Sequence, residues 1–269
     1  MKIAFLYTFL ILFSFGYSQP IFEPIGAKAW AMGGSNTAET NVFSTNNNIA
    51  TLTEIQKIEI GVYNQLRFGL KNLNIINTSV ALPTKWINIG IAANHYGYEK
   101  FNQQKITLGF AKKLNNNFSL GVNLNYVALN IAEQENTYAF TADVGSFYKI
   151  NKQLQIGFFL SNITQSKYSN NTYGKVPNLA KFGVKYSINT KLFLLTDIEK
   201  IFDYDIVVRS GLSYDIHQNF GLQIGYASNP NYFTCGFTAK FKQFDFNCAT
   251  SLHSYLGFTP HVGLIFHAD

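Results

Sequence analysis

Between residues 57 and 267 apolar and small polar residues alternate with a period of two, the signature of strands whose two faces meet different surroundings. Phe118, Leu120, Val122, Leu124 and Tyr126 share one face; Ser119, Gly121, Asn123 and Asn125 share the other. Leu154, Ile156, Phe158 and Leu160 repeat the pattern, set against Gln153, Gln155, Gly157 and Ser161. So do Phe220, Leu222, Ile224 and Tyr226, set against Gly221, Gln223 and Gly225. The alternation predicts strands at 57–67, 72–82, 86–96, 103–112, 118–130, 137–149, 153–163, 178–188, 190–199, 205–215, 219–228, 232–241, 243–252 and 257–267. These are about fourteen segments of roughly nine to thirteen residues, the length that crosses a bilayer at a tilt. Strands of soluble proteins are typically about half as long. Length therefore decides between a sandwich with its apolar face inward and a membrane barrel with that face toward lipid.

The connections differ by position. Pro83-Thr84-Lys85, Asn115-Asn116-Asn117, Asn151-Lys152, Asn189-Thr190 and His217-Gln218 are tight, whereas Ala132 to Asn136, Phe202 to Tyr204 and above all Thr164 to Asn178 are longer. Short turns on one rim and longer loops on the other are the habit of bacterial outer-membrane barrels, the short rim facing the periplasm. The expected fold is all-β, a closed antiparallel transmembrane barrel of about fourteen strands over 57–269, both termini periplasmic. A weak repeat at the short turns (Lys113 to Gly121, Lys149 to Gly157, Asp215 to Gly225) reads as hairpin grammar. Its recurrent lumen-side glycine suits a place where a sheet curves or another segment approaches.

Composition sharpens this. Aromatic residues make up 16% of the chain and charged residues only 13%, yet beyond the N-terminus no apolar run is long enough for a spanning helix. At the N-terminus Lys2 precedes an apolar stretch from Ile3 to Phe15, which reads as a secretory signal over 1–18, cut before Gln19. No cysteine sits at the cut, so a lipid anchor is not expected. The net charge of +6 is spread over lysines and arginines in turns, the pattern of solvated turn residues and not of a nucleic-acid surface.

Residues 19–56 differ from the rest. Small residues dominate Ile25 to Asn36, and an asparagine-rich stretch runs from Asn41 to Leu52. A barrel of this width leaves an aqueous lumen unless something fills it. Small residues let a backbone lie close against the wall, and Trp30, Met32 and Phe43 are candidates to wedge it there. The segment is expected to be a plug.

The run Gly26-Ala-Lys-Ala-Trp-Ala-Met-Gly-Gly34, followed by Val42-Phe-Ser-Thr-Asn-Asn-Asn-Ile-Ala50, resembles the N-terminal region of FadL/PorV-type outer-membrane proteins. The likeness covers about forty residues, and Ile49 stands where that family usually carries proline. It implies a fourteen-stranded barrel with its N-terminus folded inside. The composition and the Ser-Gln cut resemble secreted proteins of Bacteroidetes. The PorV branch, an accessory partner of protein-export machinery such as the type IX secretion system, is the favoured implication. The alternative is the FadL branch, passive transport of small hydrophobic molecules. Partners expected on this reading are outer-membrane lipid and a larger outer-membrane complex, with a hydrophobic small molecule under the alternative.

Little else in the sequence suggests chemistry. Cys235 and Cys248 fall directly opposite each other if Phe241-Lys242 form the turn, which makes them candidates for a disulfide, though lipid-facing cysteines commonly serve as small apolar residues. The five histidines, 95, 217, 253, 261 and 267, show no ligand spacing, so neither metal nor cofactor is expected. His253-Ser254-Tyr255 lacks the remainder of an outer-membrane phospholipase motif, so no catalytic residue is assigned. Tyr168 and Tyr173 in the longest loop are candidate contact anchors for a partner. The lumen face, rich in Gly, Ser, Thr, Asn and Gln with no clear ring of charge, counts against a greasy conduit and against a general porin.

Overall fold

The computed structural model describes residues 23–134, 136–169, 174–202 and 204–268. The proposed signal over 1–18 and Tyr173 lie outside the described residues. The strands are β1 Glu59–Leu66, β2 Asn74–Pro83, β3 Asn88–Tyr98, β4 Phe101–Lys113 and β5 Phe118–Ile131. Then follow β6 Thr137–Lys149, β7 Leu154–Ser161, β8 Leu179–Ser187, β9 Leu192–Ile201 and β10 Ile206–His217. The last are β11 Phe220–Ala227, β12 Tyr232–Phe241, β13 Phe244–His253 and β14 Gly257–His267. Each pairs antiparallel with its sequence neighbours, and β1 closes on β14 from Glu59↔His267 to Gln65↔His261, giving a closed barrel of fourteen strands. Closure gives every strand a neighbour on both sides, the condition for crossing a bilayer as sheet.

The alternation maps onto two environments. On β4 the side chains of Ile106, Leu108 and Phe110 are exposed outward, while Gln103, Lys105, Thr107 and Ala111 are buried inward. This is the inverse of a soluble fold, and the exposed apolar band marks the bilayer-facing surface.

Six connections on one rim are short: 84–87, 114–117, 150–153, 188–191, 218–219 and 242–243. β1 begins and β14 ends on this turn rim. The opposite, loop rim is not uniformly longer, contrary to the sequence expectation: 99–100 is a two-residue connection, beside 67–73, 132–136 and 162–178.

The turn between β12 and β13 falls at 242–243, one residue beyond the expected Phe241-Lys242. A one-residue change of turn moves the cross-strand register by two. Cys235 therefore stands opposite Thr250 and Cys248 opposite Phe237. Both thiols are free, on the outward face.

Candidate functional site

Residues 23–56 fold into α1 (Ala27–Ala31), α2 (Ser44–Asn47) and a 3-10 stretch Ile49–Glu54. This segment contacts inward faces around the whole ring: Phe43 at Gly61 of β1, Thr45 at Gly90 of β3, Ile49 at Gly121 of β5, Thr37 at Gly157 of β7, Met32 at Gly211 of β10 and Ala31 at Gly236 of β12. A short chain can touch every side of a closed ring only from within.

Glycines meet across adjacent strands at Gly90↔Gly109, Gly121↔Gly145, Gly157↔Gly183 and Gly211↔Gly225. A side chain there would occupy the segment's space. A Cβ on Gly225 would stand 2.2 Å from the Gly33 nitrogen, and one on Gly157 2.2 Å from the Thr37 carbonyl oxygen.

Polar groups of the wall satisfy the segment's backbone, as buried peptide groups require. One Asp197 carboxylate oxygen accepts from the Asn36 and Thr37 amides at 2.7 and 2.9 Å and from the Thr37 hydroxyl at 2.8 Å. Thr234 accepts from the Gly33 amide at 2.9 Å and donates to the Ala31 carbonyl at 3.1 Å. Asn48 donates to the Thr37 carbonyl at 2.7 Å and the Ser146 carbonyl at 3.1 Å. Near the turn rim, Glu39 takes Lys28 at 2.8 Å and Lys185 at 2.7 Å, and Glu54 takes Lys113 and Lys149. Burial raises the Glu39 pKa, but the two ammonium groups outweigh it and hold the carboxyl down to about 2.

Trp30, Met32 and Phe43 are all buried in this packing. Trp30 stacks on His261 at 4.7 Å and meets Tyr232 edge-on at 5.9 Å, its indole N–H donating to the Pro24 carbonyl at 2.8 Å. Phe43 meets Tyr63 edge-on at 6.2 Å. Behind Trp30, Tyr63 donates to Gln65 Oε1 at 2.9 Å, so its single proton is used. The 2.9 Å contact to His261 then assigns the ring proton to Nδ1, and Ser251 donates to Nε2 at 3.0 Å. This serine–histidine pair is buried beneath the indole and serves as an anchor.

Among the described residues the strand ladder of the wall is interrupted between β6 and β7. β6 pairs with β7 only from Val144↔Leu160 to Lys149↔Gln155. β7 ends at Ser161 and not at 163, because Asn162 takes a left-handed backbone, φ 51°. Its backbone amide donates to Asp143 at 2.9 Å and its side-chain amide to the Val176 carbonyl at 2.7 Å, while its side-chain Oδ1 accepts the Ser166 amide at 3.0 Å. The loop-rim half of β6 thus loses its neighbouring strand. Loop amides of Ile163 and Ser169 meet it at the Ala142 and Tyr138 carbonyls, each at 2.8 Å.

Apolar groups gather on both sides of this break. Outside lies a cleft of about 500 Å³ bounded by Ile106, Leu108, Leu124, Tyr126, Phe140 and Ala142. Inside, Val127, Leu129 and Ala139 of the wall pack with Tyr168, Val176 and Leu179. Tyr168 is only 6% exposed; the loop turns it into the barrel, so it is not the outward contact anchor that its loop position suggested.

The lumen also carries charge that the sequence reading overlooked. Lys105 pairs with Asp143 at 3.6 Å, and Glu199 takes Lys181 at 3.5 Å and Arg209 at 3.2 Å. Each stands at a lumen-facing position of its strand, a signal visible only once the facing is known. Among the described residues no group of three or more His, Cys, Asp or Glu side chains is placed to hold a metal ion.

Comparison with known proteins places the architecture. No family model matches the chain, and no curated protein matches it. Solved structures do. A structure described as the CymD monoaromatic hydrocarbon channel superposes with a TM-score of 0.68 at 14% identity, over 92% of this chain and 98% of that one. The P. putida toluene transporter TodX gives 0.69 at 12% identity, over 92% and 100%. A Pseudomonas aeruginosa FadL homologue gives 0.62 at 9% identity, over 90% and 96%. At such identities the likeness is one of fold, and it is a fold seen in channels and transporters. Neither the PorV branch nor a Bacteroidetes source finds support in these comparisons.

Proposed function

We propose that this chain is a passive outer-membrane channel for small hydrophobic molecules, its turn rim in the periplasm and residues 23–56 acting as a plug. The observation that carries this reading is the break after Ser161, with an apolar cleft outside it and an apolar cluster inside it. A hydrophobic molecule concentrated at the outer surface gains nothing from an aqueous pore; it needs an apolar route that spares it contact with water. Asn162 holds the loop that fills the break, so its hydrogen bonds decide how firmly that route is shut. The polar, charged lower lumen then acts as a barrier that the plug must release. The fold shared with the toluene transporter and the hydrocarbon channel agrees with this reading.

The other reading, an accessory subunit of an export complex, rested on the PorV resemblance and on outer loops shorter than is typical of that family, with Tyr168 and Tyr173 as candidate contacts. Burial of Tyr168 removes one of its supports.

The test is entry of a toluene-sized aromatic into cells producing the full-length chain. Ala142→Trp places an indole at the edge of the outer cleft without altering the lumen. Uptake above an empty-vector control, reduced by Ala142→Trp, is the expected result. Uptake equal to the control, together with stoichiometric co-purification of a large membrane partner, would overturn the channel in favour of the accessory role.

A further inference from the structure

The two rims are charged differently. On the turn rim the exposed charged side chains among the described residues are all lysines, whereas Glu54, Glu59, Asp215 and Asp245 are only partly exposed. Glu54 is already taken by Lys113 and Lys149, and Glu59 and Asp245 lie beside His267. The loop rim exposes both signs, with Glu99, Glu133 and Asp205 among Lys71, Lys100, Lys167 and Lys175. Lys85, Lys112, Lys152, Lys191 and Lys242 of the turn rim are all exposed and stand in no ion pair among the described residues.

Apolar side chains accompany these lysines. Each of the six turns has one large exposed apolar residue in it or just before it: Trp86, Leu114, Ile150, Ile188, Ile216 and Phe241. Lys85 lies 5.4 Å from the Trp86 ring and Lys242 5.6 Å from the Phe241 ring. Lys112 continues the outward row Ile106, Leu108, Phe110. Rings and aliphatic chains of this kind settle at the membrane interface, and a lysine stem reaches along them to set its ammonium at the level of the phosphates. A zwitterionic headgroup brings its own cation and leaves such a ring of ammonium groups unbalanced; an anionic headgroup balances it.

We propose that the turn rim is a binding surface for anionic phospholipid headgroups, with Lys85, Lys112, Lys152, Lys191 and Lys242 holding the phosphates. The surface is separate from the lumen and does not depend on what the lumen conducts.

The test is native mass spectrometry of the purified full-length protein, offered equal amounts of phosphatidylglycerol and phosphatidylcholine with the same acyl chains. The wild type retains phosphatidylglycerol preferentially, and added salt weakens the preference. Replacing the five lysines by glutamine lowers that preference by about tenfold or more, whereas Lys71→Gln, Lys100→Gln, Lys167→Gln and Lys175→Gln together leave it intact. The heat-dependent gel shift of a folded barrel confirms each variant. If the fivefold variant does not fold, the pairs Lys85→Gln/Lys112→Gln and Lys191→Gln/Lys242→Gln each show part of the loss. No preference in the wild type, or an equal loss in the loop-rim set, overturns the proposal. Displacement of the lipid by millimolar inorganic phosphate would do so too, since the surface would then read free phosphate.

Discussion

Gly225→Ala adds one methyl group to the inner wall, and its consequence is calculable. The new carbon would lie 2.2 Å from the Gly33 nitrogen and 2.3 Å from the Met32 carbonyl carbon. Backbone on both sides cannot rotate away as a flexible side chain would. To restore ordinary contact the segment must retreat by about 1 Å or more. Three hydrogen bonds hold it there: the Gly33 amide to Thr234 at 2.9 Å, Arg209 to the Gly33 carbonyl at 3.2 Å, and Thr234 to the Ala31 carbonyl at 3.1 Å. Losing them costs about 1 kcal/mol each, and overpacking adds about 1–3 kcal/mol. The seated segment is thus weakened by about 5 kcal/mol while the ladder of β10, β11 and β12 stays intact. Gly263→Ala is the control, because its added carbon meets Ala27 at an ordinary 3.5 Å. The assay is trypsin cleavage after Lys28 in the detergent-folded protein, read beside conductance in a planar bilayer. Gly225→Ala should expose the Lys28 bond and raise conductance; Gly263→Ala should do neither. Equal protection in both variants would refute the view that the glycine band exists to seat the segment.

Asp197→Ala removes the acceptor of three hydrogen bonds to Asn36 and Thr37, so the same proteolysis should report loosening by about 3 kcal/mol or more. Glu39 gives a pH dependence. Its folded pKa of about 2 lies below the ordinary glutamate value of 4.5, so its stabilisation is full above about 4.5 and fades as pH falls toward 2. Thermal melts of the detergent-solubilised protein should lose stability across that window, and Glu39→Gln should flatten the change. Cys235 and Cys248 should both react with maleimide under non-reducing denaturing conditions, giving two labels per chain; one that resisted labelling until reduced would contradict the register. Asn162→Ala should raise hydrogen exchange in the first residues of the β7–β8 loop without changing the gel shift of the folded barrel.

The barrel was legible because lipid imposes one requirement on every outward position. Alternation from Phe101 to Lys113, or from Phe118 to Ile131, has no reason to lapse where the outer environment is uniform. It failed where local backbone interactions overruled the pattern. Asn162 ends β7 early because its amide and side chain find better partners in Asp143 and Val176 than a further strand pair offers. Phe241 and Phe244 pair across a turn at 242–243 that aromatic spacing alone does not distinguish from one at 241–242. Small residues flanking Trp30 announced close packing, yet nothing in the sequence said that the indole would meet His261, more than two hundred residues away. The interior charges were hidden for the same reason: Lys105 finds Asp143, and Glu199 finds Lys181 and Arg209, only through the arrangement of the strands.

The placing of Trp30 and Phe43 bears on how the molecule is put together. Trp30 rests on His261 of β14, and Phe43 rests on Tyr63 of β1. These are the two strands whose meeting shuts the ring, and they come from opposite ends of the polypeptide. The contacts of the interior segment are therefore complete only once β14 has joined β1. Once that strand is in place the interior segment is enclosed by a continuous wall, and its own aromatic rings brace the join. The join is thus a latch held from inside, at the one place where the first and last strands of the barrel meet.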